Sequence, residues 1–233
     1  MPGTSEWIFE TDEFEKWINA TSDSSPILWL SGAPGTGKSV LCSRVIQHIR
    51  EIDPSAAIAF HFFRFDHQRT STIEVLRVLA IQLLEKLRAS IAELPETVLA
   101  ITQKSPNNHK NVIEITTAIT SSLFMTKSFI FIDGLDEEMT GRPMNVSLET
   151  LDSLISVASS GGTIRLWLSS QQHAQIAKRM VPFPRIHFSR QNEADIMLFF
   201  ERHLPQLDDL SADEEEKNRW LTSLKNQSKG NFL

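Results

Sequence analysis

The sequence predicts an α/β fold: a three-layer sandwich with a mostly parallel five-stranded sheet, followed by the start of a small helical domain. Two observations lead to this prediction. Short apolar runs that fit buried strands alternate with longer stretches whose apolar residues recur at helical spacing, a pattern typical of parallel sheets covered on both faces. A glycine-rich octapeptide, Gly-Ala-Pro-Gly-Thr-Gly-Lys-Ser at 32–39, lies between the first apolar run and the first long helical stretch.

The predicted strands are short runs dominated by apolar residues. Ile-Leu-Trp-Leu at 27–30 and Phe-Ile-Phe-Ile at 129–132 are the clearest, because a strand that is buried on both faces has no polar side to present. Runs of four to eight residues also fit strands better than helices. The predicted strands are 27–30, 56–63, 129–132, 164–168 and 185–188.

The predicted helices are stretches with one apolar stripe. In the strongest of them Leu76, Leu79, Leu83 and Leu87 recur at intervals of three and four. The glycine pair at 161–162 is expected to end the helix that precedes it. In chain order, helices are predicted at about 11–20, at 40–46, at 73–87, near 96–104, at 112–124, at 148–159, from Asn192 onward and at about 217–226.

The composition limits the classes of protein to which this chain can belong. The chain has 233 residues, of which 41% are hydrophobic, so it can bury a substantial core. Its net charge of −6 argues against nucleic acid as a partner, because there is no basic excess to neutralise phosphates. One cysteine excludes a disulfide framework. No apolar run approaches the ~20 residues of a membrane-spanning helix, and residues 1–20 lack the apolar core of a secretory leader, so we expect a cytoplasmic protein.

The octapeptide matches the phosphate-binding loop G-x-x-x-x-G-K-[ST] at every fixed position. Its glycines allow backbone N–H groups to surround a phosphate, and the following helix adds the positive end of its dipole. Lys38 is expected to contact the β- and γ-phosphates of ATP or GTP, and Ser39 to bind Mg²⁺. The residues expected to bind nucleotide are Gly32, Ala33, Pro34, Gly35, Thr36, Gly37, Lys38, Ser39 and Val40.

A second acidic motif follows the apolar run at 129–132. Asp133 comes at the end of that strand, where its carboxylate is expected to hold Mg²⁺ together with Ser39. Asp136 or Glu137, just beyond, is expected to orient and deprotonate the attacking water. The separation of the two motifs leaves room for an additional strand between them in the sheet, and Ile164–Leu168 is the candidate.

Together these segments resemble a NACHT domain of the STAND class of P-loop NTPases, in particular that of fungal NOD-like receptors. The segments that carry the resemblance are Trp29–Ser39, the Phe-rich strand Phe60–Phe63, Phe131–Glu137, Leu166–Ser170 and Lys229–Leu233. The resemblance implies an ASCE/AAA+-like STAND fold that binds ATP or ADP with Mg²⁺ and switches a signalling protein, with self-association through this domain in the full-length protein. The implied organisation is an N-terminal arm and helix at 1–26, a nucleotide-binding domain at 27–190 and a partial helical lid at 191–233.

The chain departs from this family at the end of the fourth strand. Family members commonly have an arginine there that senses the γ-phosphate, whereas this chain has Gln171 at that sensor 1 position. Glutamine can hydrogen-bond a phosphate but brings no charge, so we expect slow hydrolysis. Four other arginines are alternatives for this role, although we expect each of them to lie at the surface: Arg64, Arg69, Arg165 and Arg179.

Two questions stay open at this point. Trp7 and Phe9 either stack on the nucleotide base or, as we favour, pack within the N-terminal arm. The function is either that of a nucleotide-dependent switch or that of a non-catalytic nucleotide-binding scaffold. A metabolic P-loop kinase or hydrolase is a further alternative, although neither an acceptor site nor lid arginines are found for it.

Overall fold

The core of the molecule is a five-stranded sheet with the spatial order β2-β3-β4-β1-β5, in which every pair of neighbours is parallel. A computed structural model describes residues 4–19, 24–63, 71–90, 114, 116, 127–136, 145–159, 164–189, 191–203, 219 and 223. The strands are β1 (Ile27–Gly32), β2 (Ala57–Phe62), β3 (Ser128–Asp133), β4 (Ile164–Ser170) and β5 (Arg185–Phe188). All five predicted strands are therefore confirmed.

Helices accompany the strands as the sequence predicts. They are α1 (Asp12–Ile18), α2 (Lys38–Ile52), α3 (Thr72–Ser90), α4 (Asn145–Ser159), α5 (Ala174–Met180) and α6 (Glu193–His203), preceded by a 3₁₀ turn at Glu6–Glu10. The seven-residue α5 was not predicted, because it is too short to display a full apolar stripe. The helices predicted near 96–104, 112–124 and 217–226, and the glycine cap at 161–162, lie outside the described ranges apart from four isolated helical positions.

The sheet separates two apolar cores, because successive strand residues point to opposite faces. On one face Ile27 and Trp29 of β1 pack with residues of α3, α4 and α5. On the other face Leu28 and Leu30 pack with residues of α1 and α2. The strands are consequently apolar at consecutive positions, which explains why they read as continuous apolar runs rather than as an alternation.

The position of β4 is the topological feature that builds the site. As expected, β4 lies between β1 and β3, with Ser170 in register with Ser31 and Leu168 in register with Ile132. Because the strands are parallel, their carboxyl ends meet at one edge of the sheet. In open α/β sheets ligands bind in the crevice at this edge.

The outer edge of β2 is covered by one side chain from α3. The amide nitrogen of Gln82 donates to the Phe60 carbonyl, and its amide oxygen accepts from the Phe60 N–H, both at 3.0 Å. These two bonds imitate the pairing of a further strand, so the edge is closed at this position. Among the helices described, none is long and apolar enough to cross a membrane.

Candidate functional site

The loop between β1 and α2 depends on three glycines, each for its own reason. Gly35 and Gly37 have φ angles of 73° and 94°, a left-handed conformation that other residues rarely adopt. A Cβ on Gly32 would lie 2.7 Å from the backbone oxygen of Phe188 in β5. Gly35 and Gly37 therefore shape the loop, and Gly32 lets the base of the loop pack against the edge strand β5.

The loop ends at the N-terminus of α2, where a glycine occupies the cap position. Gly37 is the N-cap of this helix, and no side-chain hydrogen bond caps it. The amino end of the helix carries partial positive charge and is suited to an anion. Ala33, Pro34 and Val40 are exposed around this helix end, Val40 at 55%.

Lys38 folds back over the loop instead of extending into solvent. Its Nζ donates to the carbonyl of Gly32 at 3.0 Å and to that of Ala33 at 2.7 Å. The Thr36 hydroxyl also donates to the Ala33 carbonyl, at 2.9 Å. The ammonium group thus lies within the loop, where phosphate oxygens can replace the two carbonyls as its acceptors.

The end of β3 brings the predicted metal ligands together. The Ser39 hydroxyl donates to one carboxylate oxygen of Asp133 at 2.5 Å, and the Ser169 hydroxyl donates to the other. Burial, and to a smaller extent the charge of Asp136, raise the pKa of Asp133. The hydrogen bonds from Ser169 and Ser39 and the charge of Lys38 lower it by less. A hydroxyl and a buried carboxylate are the hard oxygen donors that Mg²⁺ takes, so this pair fits the ion, with phosphate oxygens and water as the remaining ligands.

Asp136 makes a bond that the sequence did not reveal. One of its carboxylate oxygens accepts from the backbone N–H of Gln171 at 2.7 Å, and its side chain is buried. The intervening turn is fixed by Gly134, with φ of 71°, whose N–H donates to the Ser169 carbonyl at 3.1 Å. Asp136 therefore joins the end of β3 to the end of β4, while Glu137 lies outside the described residues.

The arginines considered as substitutes for a sensor arginine are engaged elsewhere or lie outside the described residues. Arg165 donates to the carbonyl of Ile164, and Arg179 pairs with Asp152 at 2.8 Å. Arg64 and Arg69 lie outside the described residues.

Arg185, which the sequence analysis passed over, lies beside the base of the loop. Its Nε donates to the Ser31 hydroxyl at 2.6 Å. Its guanidinium carbon lies 4.6 Å from the centre of the Trp29 ring. The strand pairing between β1 and β5 explains this placement, since Arg185 is in register with Trp29.

The N-terminal aromatic residues pack within the protein, as favoured. The Trp7 ring lies 5.1 Å from that of Phe188, and the Phe9 ring stacks on His48 at 3.9 Å. The Arg44 guanidinium lies 5.1 Å from the centre of the Phe9 ring. Phe188 is the residue whose carbonyl abuts Gly32, so the arm packs against the same strand end as the loop.

Asn192 is a site residue that the sequence analysis missed. Its side chain is fully buried, and its Nδ2 donates to the carbonyl of Thr36 at 2.9 Å. The two residues are 156 positions apart, and the helical pattern marked Asn192 only as the start of a helix. No local signal in the sequence reveals so distant a contact. The domain boundary at 190/191 stays a prediction, and this buried bond crosses it.

One family model and one curated protein are similar in sequence to this chain. The family model described as "Nephrocystin 3, N-terminal" matches residues 3–171. "Vegetative incompatibility protein HET-E-1" from Podospora anserina is 27% identical over 154 residues, which are 64% of this chain and 11% of that protein. The chain thus spans about a tenth of the length of this curated relative.

Two solved structures resemble this chain to different degrees. The Aeropyrum pernix ORC2 protein superposes with a TM-score of 0.52 at 12% identity, over 93% of this chain and 59% of that one. AMPPCP-bound DnaA from Aquifex aeolicus has a TM-score of 0.46 at 13% identity, over 93% of this chain and 54% of that one. The likeness to ORC2 concerns the fold alone. The family match covers most of the chain, and the chain therefore belongs to the Nephrocystin 3 N-terminal family.

Proposed function

We propose that this domain binds a nucleoside triphosphate with Mg²⁺ and acts as a slowly hydrolysing molecular switch in a signalling protein. The observation that carries the proposal is the contact between Ser39 and Asp133 beside a glycine-rich loop at the start of α2. These parts form an anion site next to a hard-cation site, which is the arrangement that a Mg²⁺–nucleotide complex requires. ATP is the proposed nucleotide, and GTP is the alternative.

Each part of the site has a role in this proposal. The N–H groups of the loop cradle the phosphates, and Lys38 leaves the carbonyls of Gly32 and Ala33 to contact them. Ser39 and Asp133 hold Mg²⁺, which neutralises phosphate charge. Asp136 or Glu137 orients the attacking water, and Asp136 also keeps Gln171 at the end of β4.

Slow turnover is proposed because the end of β4 provides no cation. Gln171 can donate a hydrogen bond to a phosphate but cannot offset the negative charge that develops there. A bound triphosphate would consequently persist, which suits a switch that is set by nucleotide exchange. The same feature supports the second candidate, a nucleotide-binding scaffold without turnover.

The signalling role rests on similarity rather than on the site. The segments that resemble fungal NACHT domains and the similarity to a vegetative incompatibility protein both support a role in non-self recognition and cell death of the NOD-like receptor type. In that role, exchange of diphosphate for triphosphate leads to self-association of the full-length protein. A change in oligomeric state with the bound nucleotide would separate the switch from the scaffold.

Nucleotide binding is tested by calorimetry with ATP, GTP and ADP in the presence of Mg²⁺, with phosphate release followed on the same samples. The variant is Lys38→Ala, and Lys16→Ala is the matched control because Lys16 is exposed on α1. Binding that is lost only in Lys38→Ala, with slow release in the wild type, supports the proposal. Folded wild-type protein that binds none of the three nucleotides overturns it.

A further inference from the structure

The phosphate-binding loop is tied to α6 by a buried hydrogen bond. Asn192 donates through Nδ2 to the Thr36 carbonyl at 2.9 Å, and its side chain is fully buried. Asn192 also begins α6, since its backbone carbonyl accepts from the N–H of Ile196 at 2.8 Å. One residue thus holds both the middle of the loop and the start of a helix.

This bond fixes the orientation of one peptide group in the loop. A trans peptide is planar, so the carbonyl of Thr36 and the N–H of Gly37 point in opposite directions. With the carbonyl held by Asn192, the N–H of Gly37 must point away from α6. This peptide turns through ψ of Thr36 and φ of Gly37, and glycine accepts either sign of φ at little cost, so Gly37 does not select one orientation by itself.

The first turn of α6 holds the N-terminal segment. The Asp195 carboxylate accepts from the backbone N–H of Ser5 at 2.9 Å, and the side chain is only 7% exposed. Ser5 has a φ of 64°, a left-handed conformation that a serine keeps only when its surroundings hold it there. Three distant parts of the chain, namely the loop, the start of α6 and the segment at 4–10, therefore meet through two buried hydrogen bonds.

We propose that Asn192 is the positioning residue of the phosphate-binding loop, and that occupancy of the loop is transmitted through α6 to the N-terminal segment. The proposal rests on the proposed nucleotide binding and adds a specific route by which the rest of the protein senses it. Asn192 selects the peptide orientation in which the N–H of Gly37 faces the phosphates. By linkage, a ligand that needs this orientation stabilises the contact of α6 with Thr36.

The test uses Asn192→Asp, which removes the donor and places a carboxylate in a buried position. Aspartate and asparagine cap helices equally well and have the same shape, so the start of α6 is preserved. The carboxylate cannot donate to the Thr36 carbonyl and repels it. Ala194→Asp is the matched control, because it adds the same charge to an exposed position in the first turn of α6.

The expected result is a weaker nucleotide complex in an intact domain. The dissociation constants of ADP and of ATP with Mg²⁺ rise about tenfold in Asn192→Asp, the loss expected from one buried hydrogen bond that favours the binding-competent loop. Ala194→Asp binds as the wild type does. The thermal unfolding midpoint of nucleotide-free Asn192→Asp falls below that of Ala194→Asp, because the new carboxylate is buried, so binding is measured at a temperature at which both variants are folded. A merely structural role for Asn192 lowers the midpoint but leaves the affinity of the folded domain unchanged.

Hydrogen exchange measures whether nucleotide binding at the loop affects the N-terminal segment at 4–10. ADP with Mg²⁺ slows amide exchange at 4–10 and in the first turn of α6 in the wild type and in Ala194→Asp. At a saturating concentration it does not slow exchange at 4–10 in Asn192→Asp.

Equal affinities in Asn192→Asp and the wild type overturn the positioning role while leaving nucleotide binding intact. Unchanged exchange at 4–10 on binding to the wild type overturns the transmission. A wild-type domain that binds no nucleotide overturns both the proposed function and this inference.

Discussion

Ser39 and Asp133 are 94 residues apart in the chain, yet their side-chain oxygens lie 2.5 Å from each other. The hydroxyl comes from the first turn of α2 and the carboxylate from the end of β3, so the pair forms only when the sheet has assembled. Burial raises the pKa of Asp133, which means that the charged carboxylate is less favourable here than in the unfolded chain. A bound cation would reverse this disadvantage.

Asp133→Asn tests two effects of the buried charge: that it lowers the stability of the nucleotide-free domain, and that it binds Mg²⁺. We expect the nucleotide-free domain to unfold a few degrees higher than the wild type, because the neutral amide avoids the cost of burying a charge. The affinity for ATP with Mg²⁺ should fall by roughly tenfold or more. Thermal unfolding with and without the complex measures both effects. Asp152→Asn, at an exposed surface pair, is the control, and an unchanged Mg²⁺ response in Asp133→Asn would contradict the metal assignment.

Gln171→Arg should restore the charge that the end of β4 lacks. If residue 171 faces the γ-phosphate, phosphate release should increase by about tenfold or more, since a cation there stabilises the charge that develops during transfer. Single-turnover assays measure the rate. Ala174→Arg adds the same charge at a nearby exposed position, the start of α5. Equal acceleration in both variants would show a general effect of charge and would rule out a specific sensor position.

Gly32→Ala should disrupt the contact between the loop and β5. The added methyl would lie 2.7 Å from a backbone oxygen of Phe188, and a backbone atom has little freedom to move away. Overpacking of this kind costs about 1–3 kcal/mol, which urea denaturation can detect. Ala33→Ser adds one atom at the neighbouring exposed position and should cost much less. A Gly32→Ala domain as stable as the wild type would contradict this packing.

The stability of the domain should fall as the pH decreases from 7.5 to 6. Burial lowers the pKa of His61, and burial together with the charge of Arg44 lowers the pKa of His48. The unfolded chain therefore takes up protons near pH 6.5 while the folded domain still resists them, so the loss begins as the pH passes through the unfolded pKa.

Chemical denaturation at the two pH values should give a smaller difference for His61→Gln than for the wild type. His187→Gln is the control, because that side chain is exposed on β5. The slope of stability against pH is the relevant quantity, because loss of the partly buried ring lowers stability at every pH. An unchanged slope in His61→Gln would contradict the role of this residue.

The features that could be predicted from the sequence are those that leave a pattern over a few neighbouring residues. The strands were predictable because residues such as Leu28 and Trp29 are buried on opposite faces, which leaves a continuous apolar signature. The proximity of Ser39 and Asp133 was predictable because each belongs to a recognisable motif at the carboxyl end of a strand. The bonds made by Asn192 and Asp136 were not, because their partners are backbone groups, which any residue at that position would supply.

The closed edge of β2 has a consequence for how the chain reaches its fold. A sheet of parallel strands assembles through long-range pairings, which form slowly and leave strand edges open to other chains. Gln82 belongs to α3, the helix that packs on β2, so docking of this helix and closure of the edge at Phe60 are a single event. The side chain therefore closes this part of the edge to other chains as soon as its own helix is in place.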